Sequence, residues 1–397
     1  MLIQKAYKTE IDPTNKQRTL LMKHAGCARK AWNWALVRVK NKSSNPNAIQ
    51  LHRELNVEKQ GEFGYMYEVS KCAPQESLRD LQVAFRNFFD KRAGFPKFKS
   101  RNKGIGSFRL TGSIKVESNK IKLPRLGWLA LKESGYIPSD QHILSVTVSE
   151  KVGRWYVSVL VREEVELQDN TGDVLGIDLG IKALATCSDG SQYDSPKVLV
   201  ELENKIKYCQ RRLAKKKDKT SNRRRKLRTK IAKLWKRVAN IRKDVTHKVS
   251  SEIVKTKQPR IIVMEDLNVA GMTKNHKLAK AVYNTNMREF RRQIEYKAAW
   301  TGIEVRYVDR FFPSSKMCSN CGNIKKDLKL SDRTYRCSCG LVMDRDLNAS
   351  YNLYNTVSST EINAHGDDKV HAEKLAGDRR GSENQTSVSA QAELSKF

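Results

Sequence analysis

Acidic side chains are scarce in this 397-residue sequence: 43 Asp and Glu stand against 76 Lys and Arg, a net charge of +33. An excess of that size destabilises a compact state by self-repulsion, so it points to a polyanionic partner, above all nucleic acid. Long apolar runs are also missing. No stretch reaches 18 apolar residues, and the basic runs lack a large apolar face, which argues against both a membrane span and a surface anchor. The residues after Met1, LIQKAYKTEI, hold no apolar h-region, so no secretory signal is expected and the chain is assigned to the cytoplasm. Cysteine is sparse along most of the chain. Cys27, Cys72, Cys187 and Cys209 are scattered and read as small buried or half-buried thiols, because a reducing cytosol disfavours disulfides. Cys318, Cys321, Cys337 and Cys339 fall within one short segment, which is a metal signal.

The periodicities divide the chain. Leu2–Glu10 reads as a strand, and Thr14 and Gln17 have capping-box spacing ahead of a helix carrying Leu20, Leu21, Ala28, Ala31, Trp32 and Ala35. Residues 42–70 read as irregular. A second helix follows, with Leu78, Leu81, Phe85 and Phe88 as its core stripe. In residues 94–110, Lys97, Lys99 and Arg109 alternate with Phe98 and Phe108, a pattern of charge beside stacking rings that suits sequence-tolerant nucleic-acid grooves. Short alternating runs across 113–165 predict a small antiparallel β domain, with a hinge over Glu163–Asp173. Val174–Gly180, Ala183–Cys187 and Arg260–Met264 read as buried strands, and a helix is expected around 280–300 before a strand over Gly302–Val308. Between them, 200–257 reads as two long basic helices with a turn at Ser221-Asn222. Their positive charges, including Arg223, Arg224, Arg225 and Arg242, exceed what i,i+4 pairing can absorb, so they call for an external counter-charge. From 358 the chain is polar and is expected to be a disordered tail.

Three acids stand out from this pattern. Asp178 lies in an apolar strand, Glu265 at the end of another, and Asp346 just ahead of the last helix. A carboxylate in an apolar strand is costly unless it is paired. Oxygen ligands on adjacent strands suit hard cations, and two Mg²⁺ ions about 3.5–4 Å apart can promote phosphodiester hydrolysis. Taken singly, each acid could equally be a cap or turn residue. The four clustered cysteines, as Cys318-x-x-Cys321 and Cys337-x-Cys339, fit tetrahedral structural Zn²⁺. The neutral alternative is a degenerate finger held by packing.

GIDLGIKALAT (176–186), IIVMEDLNVAGM (261–272) and DRDLNASYNL (344–353) resemble the three RuvC-like motifs of the TnpB family. FPSSKMCSNCG (312–322) resembles that family's entry into a zinc finger, 203–250 its long helical insertion, and PTNKQRTLL with NFFDKRAGFPKFKS its N-terminal half. The likeness covers about residues 1–355. It implies an α/β multidomain fold: an RNase H-like (RuvC) catalytic domain with inserted helices and zinc finger, plus an N-terminal small β-barrel (wedge) domain with an inserted helical recognition domain. The implied bounds are 1–10 and 94–168 for the wedge, 11–93 for the helical domain, 169–315 and 341–357 for RuvC, 316–340 for the finger and 358–397 for the tail.

The resemblance further implies an Mg-dependent, RNA-guided DNA endonuclease of an insertion sequence, a relative of type V CRISPR effectors. Asp178, Glu265 and Asp346 match the family's metal-binding catalytic acids. Either aspartate of DRD could be the third; Asp346 is chosen because it immediately precedes LNA, leaving Asp344 as its partner. Mn²⁺ is an expected substitute for Mg²⁺. The implied partners are a guide RNA from the transposon end and double-stranded target DNA bearing a short flanking motif, met by Lys71 and Gln75, with the chain a monomer in a prokaryotic, nucleoid-associated setting. Two other readings stay open: a catalytically silent RNA-guided regulator or accessory transposition factor, and a guide-independent resolvase or RNase H-type enzyme. No DDE or tyrosine-recombinase constellation stands out, so strand transfer is not expected.

Overall fold

The computed structural model describes residues 1–363 except Gln168, Lys197, Lys219, Lys277, Leu330 and Ser331, without the side chains of Lys103 and 358–363. Residues 364–397, most of the expected tail, lie outside the described residues; 358–363 continue the last helix. The chain forms two compact units, one over Leu2–Glu164 and one running on from Val165, so the boundary falls within the polar Glu163–Asp173 stretch.

The first unit opens with β1 (Leu2–Asp12), α1 (Asn15–Lys40), α2 (Ala48–Lys59) and α3 (Cys72–Phe89). Thr14 caps α1 in a complete capping box with Gln17. Helix α2 lies in the stretch expected to be irregular. Its start is set by Asn47, whose side chain accepts the N–H groups of Ile49 and Gln50. It packs through Ala48, Leu51 and Leu55, too thin a stripe to stand out in the sequence. These leucines join Leu36, Leu78, Leu81 and Phe85 in one helical core. Strands β2 (Ser107–Leu110), β3 (Lys115–Glu117), β4 (Lys120–Leu123), β5 (Gly127–Leu131), β6 (His142–Lys151) and β7 (Arg154–Glu164) complete an antiparallel sheet in the order β2-β6-β7-β1-β5-β4-β3. Among the described residues no ladder joins β2 to β3, so by hydrogen bonding the expected barrel is an open sheet. Both edge strands nevertheless bury residues in one core, Leu110 from β2 and Val116 from β3, which shows that the sheet curls around it.

The second unit contains β8 (Gly172–Asp178), β9 (Ala183–Cys187), β10 (Gln192–Asp194), α4 (Val198–Ala214), α5 (Asn222–Ser251, continued by a π-helical turn to Lys257), β11 (Pro259–Glu265), α6 (Val269–Met272), α7 (Ala279–Thr285), α8 (Met287–Thr301), β12 (Glu304–Val308), β13 (Thr334–Arg336), β14 (Val342–Asp344) and α9 (Arg345–Asn363). The helix expected around 280–300 is two, because Asn286 adopts a left-handed conformation between α7 and α8. The five-stranded sheet runs β10-β9-β8-β11-β12, with β8, β11 and β12 parallel. The apolar runs in β8 and β11 follow from burial on both faces. One face meets Phe290 and Ile294 of α8; the other meets Leu353 and Val357 of α9.

Helix α9 can approach β8 only because residue 176 has no side chain. A Cβ there would lie 2.1 Å from the Ser350 carbonyl oxygen and 2.7 Å from the Tyr354 nitrogen, both backbone atoms that cannot swing aside. Gly176→Ala should therefore cost about 1–3 kcal/mol of overpacking. It should lower the thermal midpoint and, with it, the expected nuclease activity, since it displaces the helix that carries Asp346. An unchanged midpoint would contradict the close approach.

Candidate active site and metal centre

The parallel register of β8 and β11 pairs Ile177 with Met264, so one further step sets Asp178 beside Glu265 at the carboxyl ends of adjoining strands. Ligand sites of open α/β sheets lie at that edge. Asp346 joins them from the first turn of α9. The three acids are half-buried. Burial, then the charges of Glu265 and Asp346, push the Asp178 carboxyl up to about 8, with Arg345 opposing and Asp344 adding to the rise. Burial also raises Glu265, against a hydrogen bond donated by the Ser314 hydroxyl to its Oε1. Asp346 is held by Arg345 at 3.5 Å and faces Arg333 at 4.0 Å.

Asp344 and Asp346 separate by role. Oδ1 of Asp344 accepts the backbone N–H groups of Asp346 (2.9 Å) and Leu347 (3.2 Å), the bonding of a helix N-cap, and its side chain is otherwise exposed. The cap fixes the first turn and with it Asp346. Ser314 was missed by sequence reasoning, since a hydroxyl in FPSS carries no periodic signal. Its bond favours the charged form of Glu265, so Ser314→Ala should raise the Glu265 pKa further. Cleavage should fall about tenfold, and the acid limb of the pH–rate profile should move to higher pH; an unmoved limb counts against this role.

The four cysteines converge. Their sulfurs all lie within 4.8 Å of one another, with Cys318 Sγ 3.6 Å from Cys339 Sγ and Cys321 Sγ 3.5 Å from Cys337 Sγ. Among the described residues no other set of His, Cys, Asp and Glu groups is so tight, and the three carboxylates stand in a more open arrangement. The shortened second pair still closes its turn: the Cys337 N–H reaches the Leu341 carbonyl at 2.9 Å, as that of Cys318 reaches Asn323. Gly322 and Gly340, directly after the second cysteine of each pair, take positive φ angles of 72° and 93°. Backbone N–H groups aimed at sulfur stabilise thiolate: that of Leu341, with the Asn320 side chain, lowers Cys339 to about 6, and that of Cys339 lowers Cys337. Tyr335, fully buried, donates to the carbonyls of Lys316 and Asn323 and staples the two turns together.

This cluster is fastened to the helix of Asp346. Asn348 and Asn352 are buried on α9 one turn apart, and Asn355 follows. Asn352 Nδ2 donates to the carbonyls of Ser314 (2.6 Å) and Met317 (2.7 Å). Asn348 donates to Met317 (2.7 Å) and accepts from the Ser319 N–H (3.0 Å), and Asn355 donates to the Ser319 carbonyl (3.0 Å). Buried amides satisfied in this way fix the first cysteine turn on α9.

The basic candidates divide. Lys71, Lys97, Lys99, Arg223 and Arg225 have exposed side chains, and Gln75 is half-buried in the first turn of α3. The ammonium of Lys99 sits 3.7 Å from the Trp32 ring centre. Arg109 pairs with Asp80 at 3.2 Å and Glu76 at 3.6 Å. Arg224 donates to the carbonyls of Leu213 and Lys216 and so closes the end of α4. Arg242 bonds Asn284 and lies 3.9 Å from Glu203. These three arginines have counterparts inside the protein, which charge counting along the sequence could not reveal.

Comparison with known proteins agrees with this layout. Residues 156–276 match the OrfB family of IS605 elements, described as a probable transposase; 288–353 match the Cas12f1-like TNB domain, and 1–43 a helix-turn-helix domain. A protein of Streptomyces pristinaespiralis is 35% identical over 88% of this chain and 89% of its own length, and one of Escherichia coli K12 is 31% identical over 88% and 91%. Both are named "Putative RNA-guided DNA endonuclease", the second with the suffix InsQ. In fold, the chain resembles the protein in a cryo-EM structure of the Cas12f1–sgRNA–target DNA complex, with a TM-score of 0.52, 15% identity, and coverage of 89% of this chain and 99% of that one. No helix among the described residues is long and apolar enough to cross a membrane. The motifs, the parallel strands that bear them and the two relatives above 30% identity together place this chain in the TnpB family, with the OrfB-type proteins of the IS605 group.

Proposed function

We propose that the protein is an RNA-guided DNA endonuclease whose RuvC-like site is Asp178, Glu265 and Asp346. The observation that carries the reading is the crowding of these acids: the β8–β11 register sets Asp178 beside Glu265, and Asp346 on α9 adds a third carboxylate whose charge Asp178 feels, a crowding that divalent cations relieve. The donor set suits Mg²⁺, which takes carboxylate oxygens and keeps positions for water and phosphate, and three carboxylates are enough to share between two ions. When bound, the ions would activate water and stabilise the departing 3′ oxygen of a phosphodiester. The chain's own residues do the rest. Ser314 opposes the burial-driven rise of Glu265, Asp344 fixes the helix start beneath Asp346, and Gly176 lets that helix reach the strand.

The four-cysteine cluster fits a structural Zn²⁺: backbone N–H groups draw Cys337 and Cys339 toward thiolate, and the neighbouring sulfurs that push Cys321 up are the crowding a cation would relieve. The seven-stranded sheet with α1–α3 would serve as wedge and helical recognition domain, contributing Lys71 and Gln75 to the flanking motif, and Arg223 and Arg225 would meet nucleic-acid phosphates. Sequence choice would come from guide pairing, with the protein reading backbone shape.

The test is to purify the protein with its co-purifying RNA and sequence that RNA. DNA matched to it is then incubated with and without RNase pretreatment and with and without Mg²⁺. Cleavage that needs both RNA and metal supports the proposal. Cleavage indifferent to RNase identifies a guide-independent nuclease, and binding without cutting identifies a silent regulator.

A further inference from the structure

The loop after β12 carries a feature that the triad does not explain. Phe311 is 87% exposed, the most exposed large apolar side chain among the described residues. Yet the loop is tied down on both sides of it, to the dipeptide that supplies a catalytic acid. On one side, Arg310 Nη2 donates to Asp266 Oδ2 at 3.0 Å and its Nε to the Asp266 carbonyl at 3.2 Å. On the other, Ser314 donates to Glu265. Asp266 is itself held by Arg291 at 2.7 Å, whose guanidinium stacks 3.9 Å from the Tyr307 ring centre. The loop's own turn is closed by the Phe311 N–H to Asp309 Oδ1 (2.8 Å) and the Phe312 N–H to the Asp309 carbonyl (3.0 Å). Phe311 therefore sits on the rim of an open concavity of about 540 Å³, with Arg310 beside it.

A loop fastened at each end pushes this ring into solvent, where an exposed Phe gains nothing from burial. Three residues span at most ~11 Å of chain, so the ring stays within reach of the Glu265 side of the site. Arg310 and Arg291 share the Asp266 carboxylate, and Arg291 also meets Glu295 at 3.1 Å, so they hold the loop and its ring in place. An exposed π face held at a fixed position stacks an unpaired base of any sequence. We propose that Phe311 is a stacking platform for an unpaired base of the DNA strand being cut, one or two nucleotides from the scissile phosphate. It acts as a positioning residue: it fixes the strand while the acids act. The inference rests on the proposed nuclease reading of the same site.

The experiment compares native protein, Phe311→Ala, Phe311→Tyr and Asp178→Ala as guide-loaded complexes on matched DNA. 2-Aminopurine is placed beside the cut in either the target or the non-target strand. Phe311→Ala should lower the single-turnover cleavage rate about ten- to a hundredfold and leave affinity for the matched duplex unchanged. Phe311→Tyr should restore the rate. Stacking should quench 2-aminopurine in native protein and in Asp178→Ala, but not in Phe311→Ala, and the quenched strand identifies which one the platform holds. If native protein cuts and Phe311→Ala cuts equally fast with equal quenching, the platform is wrong while the nuclease stands. If native protein never cuts, the nuclease reading fails first, and quenching that depends on Phe311 still reports the stacking.

Discussion

Asp178→Asn should reduce guide-dependent cleavage on the order of 10³-fold or more and leave DNA binding intact, because the amide keeps the shape and loses the anion. The same substitution should stabilise the metal-free protein. A carboxyl held at about 8 in the folded state, against about 3.9 when unfolded, keeps its proton more tightly when folded. Folding stability of the native protein is therefore lost as pH rises through the interval between those values, and the penalty is complete above it. Asparagine removes the penalty. Its thermal midpoint should exceed the native one by roughly 2–5 °C at pH 7.5 without divalent cations, and should equal it near pH 4. Mg²⁺ should raise the native midpoint and leave that of Asp178→Asn nearly unmoved. Scanning calorimetry at the two pH values, with and without Mg²⁺, reads all of this. Equal midpoints at pH 7.5 would show that Asp178 is not under the strain assigned to it.

Loss of the thiolate cluster should have the second-largest effect. Native protein should carry about one Zn²⁺ per chain, and Cys339→Ser should lose most of it, measured by elemental analysis. Cys339 is the informative position, since its thiol is the one drawn down to about 6. So small a segment has little core of its own, so metal loss should unfold it locally. The damage should then travel. The carbonyls of Ser314, Met317 and Ser319 that receive Asn352, Asn348 and Asn355 belong to the first cysteine turn and its approach. Freeing them loosens Ser314 against Glu265 and leaves buried amides on α9 without partners, at about 1–3 kcal/mol each. Cleavage should fall at least about tenfold although the cysteines are not among the three carboxylates proposed to cut. Full cleavage by a zinc-free variant would show that the cluster and the acids are uncoupled.

Much of this layout is legible in the chain because the relevant physics is local. Thr14 and Gln17 are three residues apart and cap a helix in any context. Val174–Asp178 and Pro259–Glu265 are apolar because each strand is covered on both faces. The cysteine spacing foretells that the four thiols converge, because each short pair closes its own turn. Helix α2 is hard to see because its apolar stripe is only Ala48, Leu51 and Leu55. The 280–300 helix was read as continuous because a left-handed Asn286 leaves no mark in hydrophobic periodicity.

The sequence by itself determined the strand and helix classes, the basic character and the three motifs with their acids, since these depend on residue type and on neighbours a few positions away. Tertiary structure alone decided that Asp344 caps while Asp346 faces the site, that Ser314 serves Glu265, and that Arg109, Arg224 and Arg242 are engaged internally. Those assignments depend on which distant groups come within about 3 Å. A hydrogen bond or an ion pair selects its partner by distance and angle, and chain order carries neither.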